Sequence, residues 1–179
     1  MFLLEKIDST VKKVKSNVAN LMTIFNLSFG GASIMATLNE AYSFSVLFIF
    51  IAAFFDFSDG KIARKYNQQS ELGKQLDSMS DIISFGVAPA LLMYELMLYD
   101  FGLIGMFMTV FYIACGAFRL ARFNCMDPTG YFVGLPITAA GAILTVSYFL
   151  IPIAEPAFYM LLVLLLAVLM ISTFKLRKI

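Results

Sequence analysis

Histidine and tryptophan are absent from this chain, and cysteine occurs only twice. Without imidazole there is no His-ligated metal and no His general base, which leaves carboxylates for both jobs. Cys115 falls in a strongly apolar stretch and Cys125 in a polar one, so both read as free packing residues rather than a disulfide. Charge is scarce as well. Asp, Glu, Lys and Arg make up 14% of the 179 residues and nearly cancel at a net +1, which gives no reason to expect nucleic acid as a partner. What fills the chain is apolar: 60% hydrophobic residues and a mean hydropathy of +0.85. A soluble domain of this size cannot bury that much apolar surface, so the composition indicates a polytopic membrane protein.

A membrane span takes about 20 apolar residues. Six stretches qualify, roughly 18–38, 42–65, 70–97, 101–123, 131–151 and 154–174. The expected fold is therefore all-α, with six transmembrane helices in a single domain over 1–179. Breaks at Asn39-Glu40, Asn67 to Ser70, Tyr99-Asp100, Asp127 to Gly130 and Pro152 to Pro156 are plausible turns. Residues 1–16 have no long apolar core and no small-residue cleavage site, so they do not read as a cleaved signal. Phe2, Leu3, Ile7, Val11 and Val14 alternate with Lys6, Lys12, Lys13 and Lys15 as expected of an amphipathic helix on the membrane surface. All thirteen Lys and Arg fall at one end of the six spans, while Glu40, Glu95, Asp100 and Glu155 mark the other. The positive-inside rule then places both termini and the basic ends on the cytoplasmic side of the cell membrane.

Four aspartates stand out against this background: Asp56, Asp59, Asp77 and Asp81. With spans two and three antiparallel about the turn at Asn67 to Ser70, Asp59 lies level with Asp77, and Asp56 with Asp81. Asp56, Asp59 and Ala63 follow i, i+3, i+7; Gly73, Asp77 and Asp81 follow i, i+4, i+8. Each trio thus occupies one helix face. The small pair Ala63 and Gly73 lets the two helices approach closely below the acids. Unpaired carboxylates at this depth would cost several kcal/mol each, so the cluster calls for protons, cations or metal. Oxygen ligands without His or Cys suit Mg²⁺, Mn²⁺ or Ca²⁺. Four carboxylates can hold two such ions about 4 Å apart, the spacing that clamps a phosphoryl group. Pairing with Lys61, Arg64 and Lys65, or helix capping, is the plainer alternative.

The run D-F-S-D-G-K-I-A-R, then eight residues, then G-K-Q-L-D-S-M-S-D fits the pattern D-x2-D-G-x2-A-R-x8-G-x3-D-x3-D without departure. In this the chain resembles the CDP-alcohol phosphotransferase family. The resemblance implies a six-helix membrane enzyme, commonly a homodimer among membrane lipids. It would move a phosphatidyl-type group from a CDP-linked lipid to an alcohol and release CMP. It also implies two divalent cations, Mg²⁺ or Mn²⁺, held by Asp56, Asp59, Asp77 and Asp81, with Asp81 as the general base. Gly60, Ala63, Arg64 and Gly73, beside Asp56, Asp59 and Asp77, would form the CDP-lipid pocket, and Asn20 at the start of span one would reach the nucleotide. A glycine permits close backbone approach, and an arginine can fork onto phosphate oxygens.

Three further stretches resemble the family branch whose acceptor is L-serine: Ser84 to Pro89 as S-F-G-V-A-P, Arg119 to Asn124 as R-L-A-R-F-N, and Gly134 to Pro136 as G-L-P. Serine needs a cation for its carboxylate and an acceptor for its ammonium. Arg119 or Arg122 suits the first, and Ser84, Asn124 or an aspartate the second. The same arginines could be the ordinary basic flank of a span, or could bind a phosphate, which would favour glycerol phosphate or inositol phosphate as acceptor. A divalent-cation transporter is the alternative from another class, although the acids sit near one surface with no polar path onward. Pro89 is expected to kink span three beyond Asp81.

Overall fold

The computed structural model describes the backbone of residues 2–66, 71–125, 131–173 and 175–177, and side chains for 18, 20–61, 71–125 and 134–173. Helix α1 runs unbroken over Phe2–Leu38, so the expected surface helix and the first span form one rod. The amphipathic face expected over 1–16 lies outside the described side chains. The part of α1 long and apolar enough to cross a membrane is Asn20–Leu38. The helix ends where Glu40 takes a left-handed φ of 59°. The Ala41 and Glu40 amides then close back on the Ala36 and Thr37 carbonyls at 2.8 and 2.9 Å, satisfying acceptors that the last turn leaves open.

Helix α2, Tyr42–Tyr66, returns along α1. Phe55 stacks on Phe25 and Phe29 with ring centroids 5.2 and 5.6 Å apart, which zips the two helices together. The third span covers Glu71–Phe101 but is not one α-helix. Helix α3, Glu71–Asp81, widens into a π turn over Ile82–Val87, resumes as α4, Ala88–Met93, and loosens again over Tyr94–Leu98. The distortion expected at Pro89 thus falls on the turn before it. Proline has no N–H for the carbonyl four residues back. That carbonyl, Phe85, instead accepts the buried Tyr112 hydroxyl at 3.2 Å. Tyr112 lies on α5, Leu103–Cys125, so a local defect in one helix is satisfied by its neighbour.

The last two apolar segments are shorter than expected. They form α6, Ile137–Val146, extended by a 3₁₀ turn to Leu150, and α7, Pro156–Ile171. Spans of 131–151 and 154–174 overran because apolar runs do not reveal where prolines start a helix. Pro136 caps α6 and Pro156 opens α7. Among the described residues, four helices are long and apolar enough to span a membrane, and these two are shorter. Before α6, strand β1, Tyr131–Val133, pairs antiparallel with β2, Lys175–Arg177, a small ribbon in an otherwise helical chain. Gly134 follows with φ +75°, where an added Cβ would meet the Met170 carbonyl at 2.6 Å. The buried core joins Phe85, Leu92, Tyr112, Ile137, Leu144 and Met170, while Leu103, Phe107, Ile153 and Leu161 stay exposed, as lipid-facing positions do.

Candidate active site

The site forms where α1, α2, α3 and α5 meet. Asp56 and Asp59 on α2 and Asp77 on α3 each bring a carboxylate oxygen within 4.8 Å of the others. The fourth member, Asp81, is 8% exposed and hydrogen-bonds Asp56. Two carboxylates in contact demand a proton or a cation between them. The other Asp81 oxygen, Oδ1, is buried without a hydrogen-bond partner among the described residues. All four carboxylates therefore converge, as their helical spacing requires. Hard oxygen donors in this number, one of them unsatisfied, fit a divalent cation.

Helix α1 closes the third side. Thr23 Oγ1 donates to Asp59 Oδ2 at 2.8 Å, and the Thr23 carbonyl accepts from Ser80 Oγ at 3.2 Å. One turn on, the Asn26 carbonyl accepts from Ser84 Oγ at 3.1 Å. Gly30 lets α1 come close here, since a Cβ at that position would collide with the Ser84 hydroxyl. Ser84, on the π turn after α3, is thus fully buried against α1. Asn20 stands one turn before Thr23, half-buried. Thr23, rather than Asn20, is the residue of this turn bonded to an aspartate in the described structure. Gly60 and Gly73 lie half-buried on α2 and α3 beside the acids. The side chains of Ala63 and Arg64 fall outside the described residues.

The fourth wall is α5, where the two arginines part company. Arg119 is 7% exposed, lies over the Phe123 ring at 5.5 Å and interacts electrostatically with Asp81. Its Nε has no hydrogen-bond partner. Arg122 reaches to α7, donating from Nη1 to the Ile171 carbonyl at 2.9 Å and from Nη2 to the Ser172 carbonyl at 3.2 Å. Those carbonyls end a helix and lack intrahelical partners, so a cation there acts as a cap. Asn124 is also engaged. Its Nδ2 donates to Ser78 Oγ at 2.8 Å and its carbonyl accepts from Lys74 Nζ at 3.1 Å, tying α5 to α3. The structure thus brings Arg119 to the quartet and gives Arg122 and Asn124 bonds that hold helix ends.

Comparison with known proteins identifies the family. The family model described as CDP-alcohol phosphatidyltransferase matches residues 16–174. A CDP-diacylglycerol–serine O-phosphatidyltransferase of Bacillus subtilis is 41% identical over 132 residues, 72% of this chain and 73% of that protein. A protein of the same name from Methanocaldococcus jannaschii is 40% identical over 131 residues, 73% of this chain and 59% of the relative. An archaetidylserine synthase of Methanothermobacter thermautotrophicus is 37% identical over 142 residues, covering 76% and 60%. The match thus spans nearly three quarters of the Bacillus protein and under two thirds of the two archaeal ones.

Proposed function

The chain belongs to the CDP-alcohol phosphatidyltransferase family, and from that premise we propose that it is a serine phosphatidyltransferase. It takes the phosphatidyl group from a CDP-linked lipid, passes it to the hydroxyl of L-serine and releases CMP. The relatives' names agree on serine and differ on the lipid, phosphatidyl in one case and archaetidyl in another. The observation that carries the reading is the convergence of Asp56, Asp59 and Asp77 within 4.8 Å, with Asp81 against them.

Asp56, Asp59, Asp77 and Asp81 would hold two divalent cations, Mg²⁺ or Mn²⁺, which when bound neutralise the diphosphate and the charge that develops on it. Thr23 fixes the rotamer of Asp59 through its hydroxyl. Asp81 Oδ1, free of protein partners, takes the proton of the acceptor hydroxyl. The freed oxygen attacks the phosphorus that bears the lipid, the bond from that phosphorus to the CMP oxygen breaks, and CMP leaves. Arg119, beside Asp81, receives the serine carboxylate. Gly60, Ala63, Arg64 and Gly73 with Asn20 would serve the nucleotide, as the family pattern implies. Ser84, Arg122 and Asn124 would serve the acceptor indirectly, through the bonds that hold α1, α3, α5 and α7 together around Arg119. The basic helix ends support, by the positive-inside rule, a site and both termini on the cytoplasmic face of the cell membrane, and the family resemblance supports a homodimer.

A cation transporter draws less support. The outer half of α1 and α2 offers Ser33, Thr37 and Ser45, whose hydroxyls bond to one another. The test is purified protein with a CDP-lipid, serine and Mg²⁺ or Mn²⁺. CMP and a serine lipid are expected in equal amounts. Equal or faster turnover with glycerol 3-phosphate or inositol phosphate would overturn serine as acceptor. Asp81→Asn should abolish turnover while CDP-lipid still binds; near-normal turnover would remove Asp81 from the base role.

A further inference from the structure

Asn26 is a buried polar residue that the mechanism above leaves unused. It is fully buried, and neither Oδ1 nor Nδ2 has a hydrogen-bond partner among the described residues. A carboxamide in that position is normally paired. Its place follows from its neighbours. At about 100° per residue, Thr23, Asn26 and Gly30 lie within roughly 60° of one another on α1. Thr23 bonds Asp59, and Gly30 abuts Ser84. Asn26 therefore faces the seam between α1, α2 and α3. Its depth is set by two bonds: Ser80 reaches the Thr23 carbonyl and Ser84 the Asn26 carbonyl. The stretch from Ser80 to Ser84, the end of α3 and the start of the π turn, contains Asp81. Helical side chains lean back toward the N-terminus, which tilts the amide toward the carboxylates rather than away.

Three helices around the site carry buried side-chain atoms without a hydrogen-bond partner among the described residues: Asn26 Oδ1 and Nδ2 on α1, Asp81 Oδ1 on α3 and Arg119 Nε on α5. Arg119 is tied to Asp81 by charge. Together they offer an acceptor for a hydroxyl proton, a cation for a carboxylate, and an amide that both donates and accepts. A 2-amino-3-hydroxy acid presents the complement, with ammonium and carboxylate on one carbon. Resting on the serine reading, we propose that Asn26 selects the acceptor: Oδ1 accepts from the substrate ammonium and Nδ2 donates to its carboxylate. A neutral amide contributes no charge toward a phosphate dianion, so the same residue disfavours phosphorylated alcohols.

The experiment compares wild type with Asn26→Leu and Asn26→Ser. It measures serine KM and kcat, CDP-lipid affinity by direct binding, and melting temperature. An unpaired buried amide does not stabilise the empty protein, so Asn26→Leu should melt no lower than wild type. Both variants should raise serine KM at least 10-fold. CDP-lipid affinity should stay within twofold, and kcat at saturating serine within threefold. The inference is overturned if serine KM stays within twofold of wild type in either folded variant, or if CDP-lipid binding falls in step with it. Wild-type protein that makes no serine lipid would sink the serine reading itself, and this inference with it. Wild-type activity matched by the variants sinks only the role of Asn26.

Discussion

Two polar clusters lie along the same pair of helices and behave in opposite ways. In the half of α1 and α2 away from the basic ends, Ser33 and Ser45 share a hydrogen bond of 2.8 Å and Thr37 and Ser45 one of 2.7 Å. Thr37 also returns a bond to the Ser33 carbonyl at 3.1 Å. That cluster is buried and closed on itself. In the other half, Asp81 and Asn26 are equally buried, yet keep atoms without partners. Hydroxyls can donate and accept, so a few of them satisfy one another; ionised carboxylates can only accept, so a cluster of them cannot. The first cluster glues helices. The second is complete only when something else is bound, and that incompleteness marks function.

The comparison can be broken by experiment. The largest effect is expected at Asp77→Asn, which removes one charge from the three-oxygen group. Turnover should fall by about 10³-fold, the order seen when a group that stabilises transition-state charge is deleted, with CMP release as the readout. Residual activity above a tenth of wild type would show that the acidic cluster does not need its third member. Next comes Thr23→Val, which leaves Asp59 without its hydroxyl donor. Mn²⁺ should bind roughly 10-fold more weakly by titration, as for other groups that orient a metal ligand; unchanged affinity would make the Thr23–Asp59 bond merely structural. The smallest effect is predicted in the closed cluster. Ser45→Ala should cost about 1 kcal/mol in detergent-solubilised stability by stranding the Ser33 hydroxyl and leaving Thr37 only its bond to the Ser33 carbonyl, with serine KM untouched. Replacing all three by Ala, Val and Ala should recover most of that loss, since no partner is then stranded. A change in KM from either variant would erase the distinction between the two clusters.

Some of this was legible beforehand. The spacing of Asp56, Asp59, Asp77 and Asp81 put all four acids on facing helix stripes because a helix converts sequence separation into direction. The first four spans were readable from long apolar runs. The last two were overrun, because Pro136 and Pro156 set where α6 and α7 begin while the apolar run continues past them. Arg119 and Arg122 looked equivalent at i, i+3. Only α7 separates them, since its open carbonyls lie within reach of one and not the other. Asn26 carried a signal that went unused: it continues the polar line of Asn20 and Thr23 at helical spacing.

Sequence alone determined that this protein lives in a membrane, which end of its helices is basic, and that four carboxylates would meet between two of them. These are local or periodic properties, set by composition and by the pitch of a helix. Tertiary structure decided which polar groups are satisfied. It gave Thr23 to Asp59, Arg122 to the end of α7 and the Tyr112 hydroxyl to the carbonyl that Pro89 leaves open. It left Asn26 and Asp81 wanting. Partnership between distant groups depends on which helices pack together and at what depth, and the pitch of any single helix does not contain that.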